Sequence, residues 1–122
     1  MPSVAVIGAS QDRRKFGNKA VRAYLQQGWT VHPVNPARRE IEGLATLGSV
    51  REVPGRVDRV ALYLPPEQGL TVLDDIAAVE HGDFIVNPGA ESEALLARAR
   101  ELGLEPLLAC AIVEVGVSPS SL

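Results

Sequence analysis

The sequence predicts an α/β protein with a doubly wound, mostly parallel sheet. Short apolar, β-branched runs alternate with segments of helical spacing, so that the strands must be joined by crossover connections. Residues 3–7 are apolar on both faces, which is typical of a central parallel strand covered by helices on each side. Because crossovers are right-handed, we expect five to six strands in the order 3-2-1-4-5-6, which is a Rossmann-like arrangement.

The first predicted unit is a strand, a helix and a second strand. Strand 3–7 ends abruptly at Gly8, and a helix is predicted over 17–27. Strand 29–34 follows and ends at Asn35-Pro36. Pro33 within it lacks an amide donor, so one side of this strand cannot have a full ladder. The helix presents one apolar stripe, formed by Ala20, Val21, Tyr24 and Leu25.

The middle of the chain is less regular. We expect a short third strand over 40–43 at the sheet edge and a single helical turn over 49–53. A strong strand over 57–64 stops at Pro65-Pro66. Prolines are tolerated at the start of a helix, so a helix can follow directly. Apolar residues at helical spacing then predict a helix over 67–81: Leu70, Leu73, Ile76 and Ala77.

The last predicted unit completes the sheet. A short buried strand over 84–86 precedes Ser92, which is a suitable N-cap for a helix over 92–102. Gly103 ends that helix, and 106–109 forms the final strand. A length of 122 residues is that of a single domain, so we treat 1–122 as one unit.

Charge is unevenly distributed along the chain. The net charge of −3 argues against a dedicated nucleic-acid-binding protein. Residues 11–39 nevertheless carry one acid, Asp12, against seven basic side chains: Arg13, Arg14, Lys15, Lys19, Arg22, Arg38 and Arg39. A positive pole in an acidic chain suggests a compact polyanionic ligand, although clustering on solvated loops is the alternative.

Composition also bounds the location of the protein. No apolar run approaches the roughly 20 residues that cross a bilayer, so no membrane association is expected. A secretory signal is not apparent after Met1, and one cysteine, Cys110, fits a reducing compartment. We therefore expect a cytoplasmic protein.

The turn after the first strand has the chemistry of a phosphate site. Gly8 permits a tight turn, Ala9 leaves room for a ligand, and Ser10 offers a hydroxyl and an amide. The helix after this turn adds partial positive charge at its N-terminus. A dinucleotide site of the NAD type usually has an acid after the second strand, where this chain has Asn35-Pro36 and then basic residues. Coenzyme A and NADP, which carry an additional ribose phosphate, both suit that pattern.

Three segments together carry a family resemblance. Gly8-Ala9-Ser10, Pro33-Val34-Asn35-Pro36 and Asn87-Pro88-Gly89-Ala90-Glu91 come after three different strands. With Gly43, they resemble the small stand-alone CoA-binding domain family, which is related to the CoA-binding domain of the succinyl-CoA synthetase α subunit. The resemblance implies a Rossmann-like fold that binds coenzyme A.

The resemblance also implies roles for individual residues. Gly8, Ala9 and Ser10 would bind the pyrophosphate, and Arg13, Arg14 and Lys15 would close over it. The 3′-phosphate would lie near Asn35, Pro36 and Arg38. The adenine or ribose side would be lined by Tyr63, Leu64 and Pro65, and the pantetheine would be flanked by Asn87, Pro88 and Gly89. Cys110 falls where the family often has a cysteine, and it would either pack beside the CoA sulfur or form a mixed disulfide with it.

Catalytic machinery is not evident. The two histidines have no second ligand at metal spacing, so we predict no metal site. No Ser-His-acid arrangement, P-loop or His-Glu-x-x-His motif is present. The expected function is therefore binding of CoA or an acyl-CoA without catalysis. The alternatives are a fragment of an NADP-dependent oxidoreductase and a regulatory module whose basic pole binds an acidic protein or RNA, of which RNA is disfavoured because the loops have almost no aromatic residues. A homo-oligomer or a protein partner is compatible with the sequence.

Overall fold

The sheet has five parallel strands, and it confirms the predicted fold class. The structure is a computed structural model that describes all 122 residues. The strands are β1 (Ser3–Ile7), β2 (Thr30–Val34), β3 (Val57–Leu62), β4 (His81–Val86) and β5 (Pro106–Leu108). Their order is β2-β1-β3-β4-β5, which is the predicted order without its edge strand.

Five helices cover the two faces of the sheet. They are α1 (Phe16–Gln26), α2 (Pro66–Leu70), α3 (Leu73–Ala77), α4 (Glu93–Glu101) and α5 (Ala111–Glu114). Alternate residues of β1 point to opposite faces: Val4 and Val6 pack in one core cluster with α1 and α5, whereas Ala5 and Ile7 pack in the other with α3 and α4. None of these helices is long and apolar enough to span a membrane.

The predicted edge strand over 40–43 is wrong. The chain instead reverses there, and Ile41 pairs with Leu44 in an isolated antiparallel bridge. The reversal requires left-handed backbone at two successive residues, with φ of 49° at Glu42 and 78° at Gly43. Ile41 is 1% exposed and fills the core, so its burial does not depend on a strand. The helical turn predicted nearby is confirmed as a 3₁₀ turn at Val50–Glu52.

The helix predicted over 67–81 is also wrong in its extent. It is two short helices, α2 and α3, because the amides of Thr71 and Val72 donate to the carbonyls three residues earlier, at Gln68 and Gly69. The Thr71 hydroxyl donates to the Gln68 carbonyl as well, at 2.6 Å. These contacts tighten the backbone and end the first helix. His81, predicted to end the helix, is the first residue of β4.

The last long helix begins as predicted. The Ser92 hydroxyl accepts a hydrogen bond from the Leu95 amide at 3.0 Å, which is an N-cap bond for α4. The helix positions Leu95 and Ala99, both fully buried, against the sheet. Because β1 to β4 are parallel, their carboxyl ends lie at the same edge of the sheet.

Candidate functional site

A cavity of about 610 Å³ lies at the carboxyl ends of β1 to β4. This is the edge at which parallel α/β sheets bind ligands, at the point where the chain changes direction across the sheet. Eleven of the sixteen predicted binding residues line it: Gly8, Ala9, Ser10, Lys15, Asn35, Pro36, Tyr63, Leu64, Pro65, Pro88 and Gly89. Separate stretches of sequence therefore meet at one place.

The floor of the cavity depends on two glycines that pack against each other. Gly8 has a φ of 91°, and a Cβ on it would lie 3.0 Å from the carbonyl carbon of Tyr63. A Cβ on Gly17 would overlap the Gly8 carbonyl oxygen. The first turn of α1 can therefore approach the end of β1 only because both residues lack a side chain.

Four backbone amides where the end of β1 meets the first turn of α1 have no partner within the protein. The amides of Ala9 and Ser10 in the turn, and of Phe16 and Gly17 in the first turn of α1, donate no hydrogen bond. Lys15 precedes them and lines the same cavity. Unpaired amides at the start of an 11-residue helix carry partial positive charge and bind anions.

A buried asparagine fixes the shape of the turn. Asn18 is fully buried, and its side-chain amide donates to the Ser10 carbonyl at 2.9 Å and to Glu42 at 3.1 Å. Its own side-chain oxygen accepts from Arg22 Nε at 2.8 Å, and Arg22 also donates to the Arg13 carbonyl. Sequence reasoning missed Asn18, although a polar residue on the apolar stripe of the helix was a signal.

Asn35 ties the loop after β2 to the same turn. Its side-chain amide donates to the Ala9 carbonyl at 2.9 Å, and its side-chain oxygen accepts from the Ala37 amide at 2.8 Å. Asn35 therefore lines the cavity and at the same time positions the turn after β1. Its contacts within the protein hold two loops together.

The predicted basic residues differ in their availability. Arg14 is paired with Asp12, and this hydrogen bond lowers the pKa of the Asp12 carboxyl. Arg13 Nε lies 3.5 Å from Glu42 Oε2, and Arg38 forms a bidentate ion pair with Glu52. None of these three arginines lines the cavity, in contrast to Lys15, which forms no ion pair.

Two other predicted residues lie away from the cavity. Asn87 is 2% exposed; its amide donates to the Leu62 carbonyl and its oxygen accepts from the Ala111 amide. It therefore joins the ends of β3 and β4 to α5. Cys110 precedes α5 and lines a separate hollow with Leu108.

Four residues of the cavity lining were not predicted: Phe16, Gly17, Gln68 and Ala90. Phe16 is 54% exposed at the mouth of the cavity, and the Lys19 ammonium lies 4.9 Å from the centre of its ring. An exposed phenylalanine at the start of an amphipathic helix was a signal for this position. Gln68 reaches the cavity because α2 begins directly after the β3 loop.

Tyr63 lines the cavity and carries a polar atom that lacks a partner. Its hydroxyl is buried and forms no hydrogen bond within the protein. Burial raises the pKa of this phenol, and the nearby Cys110 thiol raises it further, so the phenol stays neutral and able to donate. A buried donor without a partner is uncommon in folded proteins and marks this hydroxyl for attention.

A smaller recess of about 230 Å³ adjoins the cavity and shares Gly8, Pro36, Leu64 and Gln68 with it. Its walls are largely apolar, formed by Ile7, Val34, Val50, Leu64 and Val72. Ser49, Thr71 and Asp75 supply polar groups at the rim. A flat, apolar ring with polar edges fits such a recess.

Comparison with known proteins identifies the family. The model of the CoA binding domain matches residues 2–116, which is nearly the whole chain. The chain belongs to the CoA-binding domain family. This match confirms the resemblance found in the sequence.

Curated relatives of this CoA-binding domain include larger enzymes. The α subunit of the ADP-forming acetate–CoA ligase II of Pyrococcus furiosus is 40% identical over 63 residues, which are 51% of this chain and 14% of the ligase subunit. YneT of Bacillus subtilis is 25% identical over 100 residues, covering 82% of this chain and 74% of YneT. The chain thus matches only a small part of the ligase subunit.

Solved structures share the fold of this CoA-binding domain. A conserved hypothetical protein from Pyrococcus furiosus superposes with a TM-score of 0.85 at 36% identity, covering 93% of this chain and 99% of that one. The dinucleotide-forming acetyl-coenzyme A synthetase 1 of Candidatus Korarchaeum cryptofilum gives a TM-score of 0.75 at 32% identity. That match covers 87% of this chain and 25% of the synthetase.

Proposed function

We propose that this chain binds coenzyme A or an acyl-CoA and supplies no catalysis of its own. The observation that carries the proposal is the group of unpaired amides at Ala9, Ser10, Phe16 and Gly17, with the unpaired Lys15 beside them. A pyrophosphate offers the oxygens that these donors lack, and the family to which the chain belongs binds CoA.

The residues present fit the parts of CoA. A pyrophosphate would occupy the cradle beside Gly8 and Gly17, which a Cβ would fill. The Ser10 hydroxyl accepts from the Asp12 amide at 3.0 Å and keeps its own proton free for a phosphate oxygen. The adenine would enter the adjoining recess, and the pantetheine would leave past Pro88 and Gly89.

Tyr63 and Cys110 have different places in this proposal. The neutral Tyr63 phenol would donate to a polar group of a ligand that comes within hydrogen-bond distance of it. Cys110 lies outside the cavity lining, so its contact with the ligand sulfur depends on the path that the pantetheine takes. As a single cysteine it accords with a reducing, cytoplasmic location, which is part of the proposal.

The direct test is ligand-dependent stabilisation. We expect CoA and acetyl-CoA to raise the midpoint of thermal unfolding progressively with ligand concentration. The corresponding gain in the free energy of unfolding is about 2.7 kcal/mol at a ligand concentration of 100 times the Kd. NADP, NAD and ATP serve as comparison ligands in the same assay. A larger effect of NADP than of CoA would support an oxidoreductase fragment, and no effect of any nucleotide would contradict a nucleotide-binding function.

Replacement of Lys15 by alanine tests the one predicted cation that the geometry leaves available. Loss of a charge-assisted hydrogen bond costs about 1.5–3 kcal/mol, so we expect the Kd for CoA to rise roughly tenfold or more by calorimetric titration. Arg14→Ala is the matched control, because Arg14 is exposed and paired with Asp12. Equal effects of the two substitutions would show that general charge, and not position, governs binding.

A further inference from the structure

Arg38 and Glu52 form an ion pair next to Gly48, which lines the recess. Arg38 Nη1 donates to Glu52 Oε1 at 2.8 Å and Nη2 donates to Oε2 at 2.6 Å, so both oxygens are engaged in a fork geometry. Such two-fold pairs are the exception among surface ion pairs in having defined geometry and strength. The pair links two loops that are 14 residues apart in sequence.

The backbone places this pair beside the recess. The Arg38 guanidinium packs directly against Gly48, where a Cβ would clash with it. Gly48 and Ser49 themselves line the recess. Arg38 has a φ of 53°, so its backbone adopts a left-handed conformation that directs the loop toward this contact.

The Glu52 carboxylate has the surroundings of a bound anion. The hydrogen bonds from Arg38 lower its pKa, and the backbone amides of Gly48 and Ser49 lower it further. A guanidinium that presents two parallel N–H donors is also what a phosphate monoester on a ribose would require. The carboxylate thus occupies an anion position that the protein itself fills.

We infer that Glu52 determines the nucleotide selectivity of this site by occupying the position beside Arg38 that a ribose phosphate would otherwise take. The inference rests on the proposed function, since it assumes that the adenosine enters the recess. The Arg38–Glu52 pair is close to neutral, and a second anion there would be repelled by the carboxylate. The ligand class is then adenine nucleotides with a pyrophosphate, whether or not the ribose carries a 3′-phosphate.

The test compares CoA with dephospho-CoA by calorimetric titration of the full chain. For the unaltered protein we expect the two Kd values to agree within about threefold. In Glu52→Gln, Arg38 carries an uncompensated charge, and we expect CoA to be preferred by about tenfold or more, as for one added charge-assisted hydrogen bond. The double variant with Arg38→Gln should lose that preference.

A matched control is available at the amino ends of the strands. Arg56 and Asp58 form a surface ion pair at 2.9 Å, and Asp58→Asn should leave the ratio of the two Kd values unchanged. A strong preference of the unaltered protein for CoA, or an unchanged ratio in Glu52→Gln, would overturn the inference. The first of these results needs no variant and so does not depend on the folding of one. Failure of the unaltered protein to bind either nucleotide would instead refute the proposed function, and the inference with it.

Discussion

Gly17→Ala is expected to abolish measurable CoA binding and to destabilise the fold. The new methyl group would overlap the Gly8 carbonyl oxygen, which is backbone and cannot rotate away. The start of α1 must therefore shift, and the amides of Phe16 and Gly17 move with it. Losing two hydrogen bonds to a charged ligand, each worth about tenfold, predicts a Kd at least about 100-fold higher. Overpacking of this kind also costs about 1–3 kcal/mol in the free energy of unfolding.

Ala20→Gly provides the control for stability alone. Ala20 is fully buried in the same helix. Glycine there costs about 1 kcal/mol in helix propensity but adds no atom near the turn after β1. Chemical denaturation measures the stability of both variants, and calorimetric titration measures their Kd. We expect Ala20→Gly to be destabilised but to bind CoA normally. Normal binding by Gly17→Ala would refute the role of the glycine pair.

Asn87→Ala is expected to lower stability strongly and to leave CoA affinity within about threefold of its original value. The substitution leaves the Ala111 amide without an acceptor in the interior, whereas the Leu62 carbonyl still accepts from the backbone amide of position 87. One unsatisfied buried group costs about 1–3 kcal/mol, so the free energy of unfolding should fall by about that amount. Denaturant unfolding, together with titration under conditions where the variant is folded, separates the two effects.

Asn35→Ala is the matched comparison for that variant. Asn35 comes directly after β2 and also bridges two segments, but its partner is the Ala9 carbonyl in the turn after β1. We expect it to weaken CoA binding more than Asn87→Ala does, with a smaller loss of stability because the bond is only partly buried. The opposite ranking would mean that the loop after β4 is the main binding element.

The sheet and the tight turn after β1 were predictable because their signals are local. An apolar run that ends in Gly8, and a helix with one apolar stripe, determine the β1–α1 unit within one short stretch of sequence. The edge strand predicted over 40–43 is wrong because of the backbone conformation there. Left-handed backbone at Glu42 reverses the chain, and nothing in the residue type of a glutamate indicates it.

The distribution of charge at the site could not be predicted in the same way. Arg13 and Arg38 pair with Glu42 and Glu52, which are distant in sequence and meet them only through the folding of the irregular segment after β2. Lys15 is left unpaired, although it is adjacent to Arg14.

Asn87 shows that a motif residue can make contacts within the protein that its sequence context does not indicate. It belongs to a segment that carries the family resemblance, yet its contacts with Leu62 and Ala111 are structural. A buried amide at a strand end can serve a structural or a binding purpose, and its position in the sequence does not distinguish the two.

The most direct test of CoA binding at the β1–α1 turn is a titration of ¹⁵N-labelled protein with CoA, monitored by the chemical shifts of individual amides. We expect saturable changes that are largest at Ala9, Ser10, Phe16 and Gly17, whose amides have no partner within the protein. Saturable changes centred on Leu108 and Cys110 instead, or the absence of any change at millimolar CoA, would contradict binding at this turn.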